Sequence, residues 1–329
     1  MNNLTILVTG GTGSFGNKFV EMTLKKYNPK KIIVFSRDEM KQWHMSQKFN
    51  DKRIRFFLGD IRDKDRLNRA ADGADIIVHA AALKIVPTAE YNPFETVKTN
   101  ILGAMNIIDV AIEKKVKKII SLSTDKACDP INFYGATKLA SDKLFIAGNN
   151  YVGNRPTMFS VVRYGNVIGS RGSVIPFFLK LKDQNKQLTI TDKKMTRFFT
   201  SLDDAVKMVW NAIKVMSGGE VFVLKNPSIK ILDLAKNIDN SPVKEIGVRP
   251  GEKINEVLIS KEESYFTYDC GKYYTILSQV VDKKQINKFS KNKKVSINFE
   301  YRSDKNHFLK SKGIQEIIKK FKKNYSKDN

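Results

Sequence analysis

The sequence predicts an α/β protein built on a doubly wound parallel sheet, with a smaller C-terminal domain interleaved with the first. Short, nearly continuous apolar segments alternate with helical stretches through the first half of the chain, which is typical of βαβ units whose sheet is buried on both faces. A glycine-rich turn directly follows the first of these segments, as at the strand–helix junction of a nucleotide-binding sheet. Together these features indicate a Rossmann-like fold.

The pattern places six strands and four helices along the chain. Strands are predicted over residues 4–9, 32–36, 54–58, 76–79, 118–122 and 159–163. Helices are predicted over residues 17–27, 100–114, 134–148 and 202–216. Loops rich in glycine, proline and arginine begin after Tyr164. We therefore predict a nucleotide-binding domain over residues 1–165, rejoined by about 199–217, and a substrate-binding domain mainly over residues 166–329.

The composition limits the class of protein. With 329 residues, 41% of them hydrophobic, the chain can bury the core of one or two domains. It has no apolar run of about 18 residues, so no membrane insertion is predicted. The N-terminal "MNNLTILVTGG" is typical of a first strand in a cytoplasmic protein rather than of a signal peptide. Two cysteines and the scattered His44, His79 and His307 predict neither a disulfide framework nor a metal site.

The net charge of +24 admits a nucleic-acid partner. However, the lysines are spread along the chain, and no interleaved aromatic platform or known nucleic-acid-reading motif accompanies them. We interpret the charge as a solvated, lysine-rich surface and predict no nucleic-acid partner. The same charge also suits an anionic, nucleotide-linked substrate.

The first chemical motif is the glycine turn "TGGTGSFG" at residues 9–16. Its glycines are three positions apart, where they let the backbone turn tightly and approach a pyrophosphate at a helix N-terminus. A purely structural turn is the alternative interpretation. The predicted cofactor-binding residues of this turn are Gly10, Thr12, Gly13, Ser14, Phe15 and Gly16.

The ends of the next strands complete the predicted cofactor site. Ser36 and Arg37 stand where a ribose contact is expected, and they suit the 2′-phosphate of NADP, because a guanidinium binds phosphate in a forked geometry. Asp38 follows directly, so NAD remains an alternative to NADP. His79 is interpreted as a buried strand residue. The other strand-end contacts are predicted at Asp60 and Ile61 near the adenine, and at Ala80 and Lys84 near the nicotinamide ribose.

The chain contains four Tyr-x-x-x-Lys pairs among its 11 tyrosines, so this motif alone is weak. Only Tyr134 and Lys138 follow a predicted strand that ends in Ser-Thr and begin a helix, on which they share one face. Lys138 and a bound nicotinamide are both expected to lower the pKa of Tyr134. With Thr124 bonded to the same substrate oxygen, these residues form the predicted catalytic set of a reductase.

Six ordered motifs identify a family. They are "TGGTGSFG", "SRDE", "STDKA" followed by "YGATK", "VVRYGNVIGSRGSVIPFF", "MTRFF" and "VRPGEK". This series resembles the extended short-chain dehydrogenase/reductase superfamily and, within it, the inverting UDP-N-acetylglucosamine 4,6-dehydratases of pseudaminic acid biosynthesis. The resemblance runs from residue 9 to about residue 256. Retaining relatives typically carry methionine at the position of Tyr134, so the inverting group is favoured over the retaining one.

The resemblance implies a role for Asp125 and Lys126, which hydride transfer alone does not need. A 4,6-dehydratase oxidises C4 of the sugar, removes the C5 hydrogen, expels the C6 hydroxyl and returns hydride to C6, which takes one more acid and one more base. The implied acid is Asp125, with a pKa raised by burial. The implied base is Lys126, with a pKa lowered by desolvation and nearby cations. A surface salt bridge is the alternative interpretation of the pair, and a UDP-sugar 4-epimerase is the alternative function.

The same resemblance implies the ligands and partners. These are NADP, UDP-N-acetylglucosamine and further copies of the chain, from a dimer to a hexamer, with the product used in surface-glycan or flagellin glycosylation. Guanidinium groups suit a diphosphate, although each arginine could instead form a surface ion pair. The implied contacts are Val167 to the cofactor and Ala80, Ser123, Thr124, Asn166, Arg197, Arg249 and Glu252 to the substrate.

Overall fold

The computed structural model describes residues 1–168, 173–278 and 287–328, so residues 169–172 of the "VIGSRGSV" motif lie outside the described part. The strands are β1 (Thr5–Thr9), β2 (Lys31–Ser36), β3 (Ile54–Leu58), β4 (Ile76–His79), β5 (Lys118–Thr124), β6 (Met158–Tyr164), β7 (Asn166–Val167), β8 (Thr189–Ile190), β9 (Thr196–Thr200), β10 (Val221–Leu224), β11 (Ser228–Lys230), β12 (Lys244–Glu245), β13 (Val257–Ile259), β14 (Thr267–Asp269), β15 (Tyr273–Ile276), β16 (Lys293–Lys294) and β17 (Tyr301–Arg302). The helices are α1 (Ser14–Lys26), α2 (Glu39–Lys48), α3 (Lys64–Ala70), α4 (Val86–Tyr91), α5 (Pro93–Val97), α6 (Gly103–Glu113), α7 (Phe133–Gly148), α8 (Val174–Asp183), α9 (Leu202–Val215), α10 (Ile231–Ile238), α11 (Lys261–Ser264) and α12 (Ser311–Asp328).

Ten strands form the main sheet, in the order β16-β14-β15-β10-β6-β5-β4-β1-β2-β3. From β10 to β3 all neighbours pair in parallel. The chain runs from β1 outward to β3 on one side and then from β4 to β6 on the other, so the strand order reverses between β1 and β4. Ligands bind outside the carboxyl ends of the strands at such a reversal. The predicted doubly wound sheet is confirmed.

Both faces of the main sheet are buried, as the continuous apolar strands predicted. Ile6 and Val8 of β1 join one apolar cluster, which includes α1 and α9, whereas Leu7 joins a second cluster, which includes α3, α6 and α7. Successive side chains of a strand point to opposite faces. A strand covered on both sides therefore has no polar alternation, which is why these segments read as unbroken apolar runs.

The six predicted strands and four predicted helices are confirmed within a few residues. Helix α1 begins at Ser14, three residues earlier than predicted, because the glycine turn leads straight into it. The predicted helix over residues 100–114 is a π-helical turn, Lys98–Leu102, that continues into α6. Helix α9, in the segment predicted to rejoin the first domain, packs against α1.

The interleaving of the two domains extends further than predicted. Beyond residue 217, β10 adds a parallel strand next to β6, and β15, β14 and β16 continue the main sheet antiparallel. The sequence interpretation assigned these strands to the second domain. Strands β10, β14 and β15 are three or four residues long, and β16 has two residues. Each therefore carries too few side chains to indicate from the sequence which sheet it joins.

A smaller unit follows the carboxyl end of β6. Strands β11, β9 and β7 form a three-stranded sheet, and β7 begins two residues after β6 ends. Helices α8, α10 and α12 pack here around a third apolar cluster that includes Phe178, Leu234 and Ile314. Within the described residues, no helix has the length and apolar character needed to cross a membrane.

Candidate active site

The glycine turn is shaped to take a pyrophosphate. Gly10 has a φ of +63°, and a Cβ placed on it would lie 2.8 Å from the backbone nitrogen of Ala81. Gly13 donates its N–H to the carbonyl of Gly10 at 2.9 Å and precedes α1 without a capping side-chain bond. A Cβ on Gly16 would lie 2.3 Å from the carbonyl oxygen of Gly11. The first turn of α1 thus lies close to the glycine turn. Its N–H groups have no carbonyl partner within the helix and can bind an anion.

The residues predicted to contact the ribose differ in solvent exposure. Arg37 is half exposed, and its Nη1 lies 3.5 Å from Oδ2 of Asp60. Asp38, the residue that would favour NAD, accepts a bond from the backbone nitrogen of Lys41 at 2.9 Å and also pairs with the Lys41 ammonium. Ser36 is buried, with its hydroxyl 3.2 Å from the amide nitrogen of Gln42. At this strand end the Arg37 side chain is 51% exposed and that of Asp38 is 40% exposed.

The residues predicted to lie near the adenine and near the nicotinamide ribose follow the carboxyl ends of β3 and β4. Ile61 is buried, in line with a place under the adenine. Asn100 fixes the loop that carries Lys84, because it exchanges two 2.9 Å hydrogen bonds with the backbone of Leu83. Asn100 also donates to Thr137 of α7 at 3.1 Å. Sequence reasoning missed Asn100, since a lone asparagine in a helical stretch gives no signal of a tertiary role.

The catalytic segment is a strand end, a short turn and a helix start. Thr124 ends β5, a single 3₁₀ turn covers Asp125–Ala127, and α7 begins at Phe133. A Cβ on Gly135 would lie 2.2 Å from the carbonyl oxygen of Lys126, so only glycine permits this close approach of helix and turn. The structure therefore brings the predicted reductase set and the predicted elimination pair into one compact site.

The hydride-transfer residues are buried. Tyr134 is 8% exposed and Lys138 is 3% exposed. Burial raises the pKa of Tyr134 to about 12, although Lys126 and a hydrogen bond with Thr124 oppose it. The sequence predicted a lowered pKa for Tyr134; the protein's own groups do the opposite, because desolvation outweighs the nearby positive charge. Burial lowers the pKa of Lys138, with Asp142 acting in the other direction.

Asp142 is a functional neighbour that the sequence interpretation missed. It lies one turn after Lys138 on α7 and is 1% exposed. Ser123 donates its hydroxyl to Asp142 at 2.5 Å, and the Nη2 of Arg163 lies 3.8 Å from the same carboxylate. Ser123 was predicted to contact the sugar, but its hydroxyl is turned to this buried carboxyl group. Its role here is to complete the environment of Lys138.

The elimination pair is part of a larger ion cluster. The Nζ of Lys126 lies 3.1 Å from Oδ1 of Asp125 and 3.0 Å from Oε1 of Glu256. The Nε of Arg197 lies 3.6 Å from the same oxygen of Glu256. Asp125 and Glu256 are 1% and 2% exposed. Asp125 and Lys126 do form a salt bridge, but its carboxyl group is buried and the Lys126 side chain is only 22% exposed.

Of the pKa shifts predicted for Asp125 and Lys126, only that of Asp125 has the predicted direction. Burial raises the pKa of Asp125, more than Lys126 lowers it, as an acid requires. Burial alone would lower the pKa of Lys126, but the carboxyl groups of Asp125 and Glu256 outweigh it and hold that pKa well above the ordinary value. The predicted fall in the pKa of Lys126 is thus wrong for this structure, because the prediction did not include the carboxylate of Glu256.

A cavity of about 1000 Å³ opens beside this cluster. Its apolar side includes Phe177, Phe178 and Phe199. The guanidinium of Arg197 donates to the carbonyl oxygens of Thr196, Lys253 and Ile254 at 2.7–3.0 Å, so this arginine holds the loop around residue 254 as well as facing the cavity. The predicted ligand contacts that line the cavity together are Asn166, Val167, Arg197, Arg249 and Glu252.

The sheet reversal, the glycine turn and the Thr-Tyr-Lys arrangement define a nucleotide-binding protein of the short-chain dehydrogenase/reductase class. Within that class, the chain belongs to the polysaccharide biosynthesis protein family, whose model matches residues 6–278.

Two relatives and one solved structure place the chain within this family. The chain is 52% identical over 326 residues to an inverting UDP-N-acetylglucosamine 4,6-dehydratase of Campylobacter jejuni, covering 96% of this chain and 98% of that protein. It is 42% identical over 323 residues to a UDP-glucose 4-epimerase of Rickettsia bellii, covering 95% of each. The X-ray structure of Pen from Bacillus thuringiensis is 37% identical, with a TM-score of 0.90 over 98% of both chains.

Proposed function

We propose that this protein is an NADP-dependent 4,6-dehydratase of UDP-N-acetylglucosamine that inverts the configuration at C5. The observation that carries the proposal is the Asp125–Lys126 pair, which is hydrogen-bonded together and to Thr124 just before the helix that carries Tyr134 and Lys138. The similarity to a dehydratase of that name over nearly the whole chain supports the substrate. In this proposal residues 1–165 bind the cofactor, and residues 166–329 mainly bind the substrate. The product would serve surface-glycan or flagellin glycosylation in a homo-oligomer of this chain, as the resemblance implies.

The first half of the reaction is oxidation at C4. A nicotinamide cofactor supplies the hydride acceptor when bound. Tyr134 takes the proton of the C4 hydroxyl, and Thr124, which is bonded to Tyr134, orients the same oxygen. Tyr134 has to be a phenolate to take this proton, and its burial, together with the groups around it, raises its pKa to about 12, so the positive charge of Lys138 is needed to stabilise the phenolate. The burial of Lys138, which lowers its own pKa, keeps its charge unshielded by water.

The second half is elimination of water across C5 and C6. The raised pKa of Asp125 leaves it a proton to give to the departing C6 hydroxyl. Lys126 takes the C5 proton once it is neutral and returns a proton to C5 at the end. A return from the face opposite to the one that lost hydrogen inverts this carbon. The two side chains are held 3.1 Å apart, which suits attack on adjacent carbons.

The choice of NADP over NAD is supported by the end of β2. Arg37 presents a half-exposed guanidinium there, whereas Asp38 is committed to Lys41 and the start of α2. A free guanidinium suits a 2′-phosphate, and a free carboxylate would suit a 2′-hydroxyl. The glycine turn fits the pyrophosphate that both cofactors share.

A UDP-sugar 4-epimerase is the second candidate, because a relative with 42% identity carries an epimerase name. An epimerase uses Tyr134 and Lys138 but needs no acid and base beyond them. An NMR time course with UDP-N-acetylglucosamine in D2O separates the two. We expect a C6 methyl group and deuterium at C5. A product that keeps its C6 hydroxyl and differs only at C4 would overturn the dehydratase proposal.

A further inference from the structure

Glu256 is a buried carboxyl group that the reaction above does not use. It stands directly before β13 and is 2% exposed. Its Oε1 accepts a hydrogen bond from Lys126, a residue 130 positions earlier, at 3.0 Å. Its Oε2 is buried and has no hydrogen-bond partner among the described residues. Burying a carboxylate is costly unless it is paired, so this contact is a specific feature of the site.

Two hydrogen bonds to Ser303 hold the backbone of Glu256. Its N–H donates to the hydroxyl of Ser303 at 2.9 Å, and its carbonyl accepts from the N–H of Ser303, also at 2.9 Å. Strand β13 packs on the turn that carries Lys126, and Arg163 of β6 donates to the carbonyl of Leu258 at 3.0 Å. The carboxylate therefore contacts Lys126 from a backbone that hydrogen bonds and packing hold in place.

Lys126 is held between two carboxyl groups with different properties. Burial raises the pKa of Asp125, whereas Lys126 and Arg197 lower the pKa of Glu256 more than burial raises it. In the resting protein Lys126 is thus an ammonium beside a carboxylate on Glu256. The titratable and charged groups that face Lys126 are Asp125, Glu256, Arg197, Lys84 and Tyr134.

We propose that Glu256 is a positioning residue for Lys126, which fixes its Nζ beside Asp125 and accepts its proton so that Lys126 becomes the base at C5. This inference rests on the proposed dehydration. Asp125 cannot be the acceptor, because it must keep its own proton for the C6 hydroxyl. The proton crosses the 3.0 Å N–H···O bond and leaves a neutral amine and a neutral carboxylic acid.

The timing follows from the exclusion of water. An ion pair in low dielectric is less favourable than in water, whereas a neutral pair is affected little by burial. A substrate that excludes water from the cluster therefore favours the neutral pair. When Lys126 has returned a proton to C5, Glu256 gives its proton back and the resting ion pair is restored. Asp125, which has given its proton to the departing hydroxyl, must also regain one before the next turnover, and the proton that Tyr134 took from the C4 hydroxyl balances this loss.

The Glu256→Gln variant tests the inference, because the amide keeps the size of the side chain but cannot take a proton. Reduced nicotinamide should still form when UDP-N-acetylglucosamine is added, since Tyr134 and Lys138 carry that step. Elimination, followed by the C6 methyl signal, should fall about a hundredfold near neutral pH. Lys126 must then lose its proton to solvent, so the remaining rate should rise about tenfold per pH unit up to the pKa of Lys126, which the loss of the Glu256 charge lowers, while the wild-type rate stays nearly constant.

A rate that falls equally at every pH, or does not fall, would show that Glu256 is only structural and would overturn the inference. Glu256→Asp keeps the buried charge and carries the same test: a lower rate with little pH dependence supports the inference, and an unchanged rate counts against it. Glu262→Gln is the matched control, because Glu262 is exposed on α11. Failure of the wild-type protein to dehydrate the sugar would instead overturn the proposed function.

Discussion

His79 should make the protein lose stability in mild acid, although it takes no part in the proposed reaction. It ends β4 and is 2% exposed, and its Nδ1 lies 2.8 Å from the hydroxyl of Thr9. Its ring packs beside that of Phe145. Burial, and after it the positive charge of Lys138, lower the pKa of His79 from 6.5 to about 3. His79 is therefore neutral in the folded protein, which confirms its interpretation as a buried strand residue.

The direction and size of the effect follow from proton linkage. Below the unfolded pKa the unfolded chain binds a proton at His79 while the folded chain does not, so the free energy of unfolding falls as the pH falls. For an unfolded pKa of about 6.5, going from about pH 7 to about pH 5 costs about 2 kcal/mol. Any folded pKa below about 4 gives the same result. Such a loss is large beside a typical stability of about 5–15 kcal/mol.

Urea unfolding of the wild type and of His79→Asn at the two pH values measures this contribution. The asparagine amide can keep a bond to Thr9 but does not titrate, so the variant should lose about 2 kcal/mol less than the wild type on acidification. His44→Asn is the control, since His44 is exposed on α2, and it should follow the wild type. Equal losses in the wild type and in His79→Asn would refute the reasoning.

Two further predictions concern the cofactor. Gly16→Ala places a Cβ 2.3 Å from a backbone oxygen, so it should lower stability by about 1–3 kcal/mol and weaken binding of both nicotinamide cofactors, as measured by thermal melting and by titration. The control Gly313→Ala, where a Cβ would meet only the Leu309 side chain, at 3.3 Å, should bind them normally. Normal binding by Gly16→Ala would contradict the close contact. Arg37→Ala should weaken the binding of NADP about tenfold, equivalent to about 1.4 kcal/mol, and leave the binding of NAD unchanged. If the same titration shows equal loss of affinity for both cofactors, Arg37 does not contact a 2′-phosphate.

The sequence predicted the parts of the fold that depend on local pattern. Strands buried on both faces give unbroken apolar runs, so β1 to β6 could be placed within a few residues. The antiparallel extension could not, because β14, β15 and β16 are short and their partners are set by contacts far along the chain. Tyr268 of β14, for example, pairs with Lys294 of β16, and nothing near either residue indicates it.

The same distinction applies to the site. Residues 123–138 could be predicted together because one strand end, one turn and one helix start place them. Asn100, Asp142 and Glu256 could not, because a buried polar residue reveals its role only through its partner. The error over the pKa of Lys126 has this origin: the prediction included the cations near Lys126 but not Glu256, the carboxylate that outweighs them.

The contrast between Asp125 and Glu256 explains how one lysine can serve an elimination. Both carboxyl groups are almost fully buried and contact the same Nζ, yet the pKa of Asp125 is raised and that of Glu256 is lowered. Arg197 accounts for the difference, because it lies 3.6 Å from Glu256 and stabilises its charge. Neighbouring groups whose pKa values are pushed apart take opposite acid and base roles. Removing the positive charge of Arg197 should therefore bring the pKa values of Asp125 and Glu256 closer together. We expect this to impair elimination more than oxidation at C4.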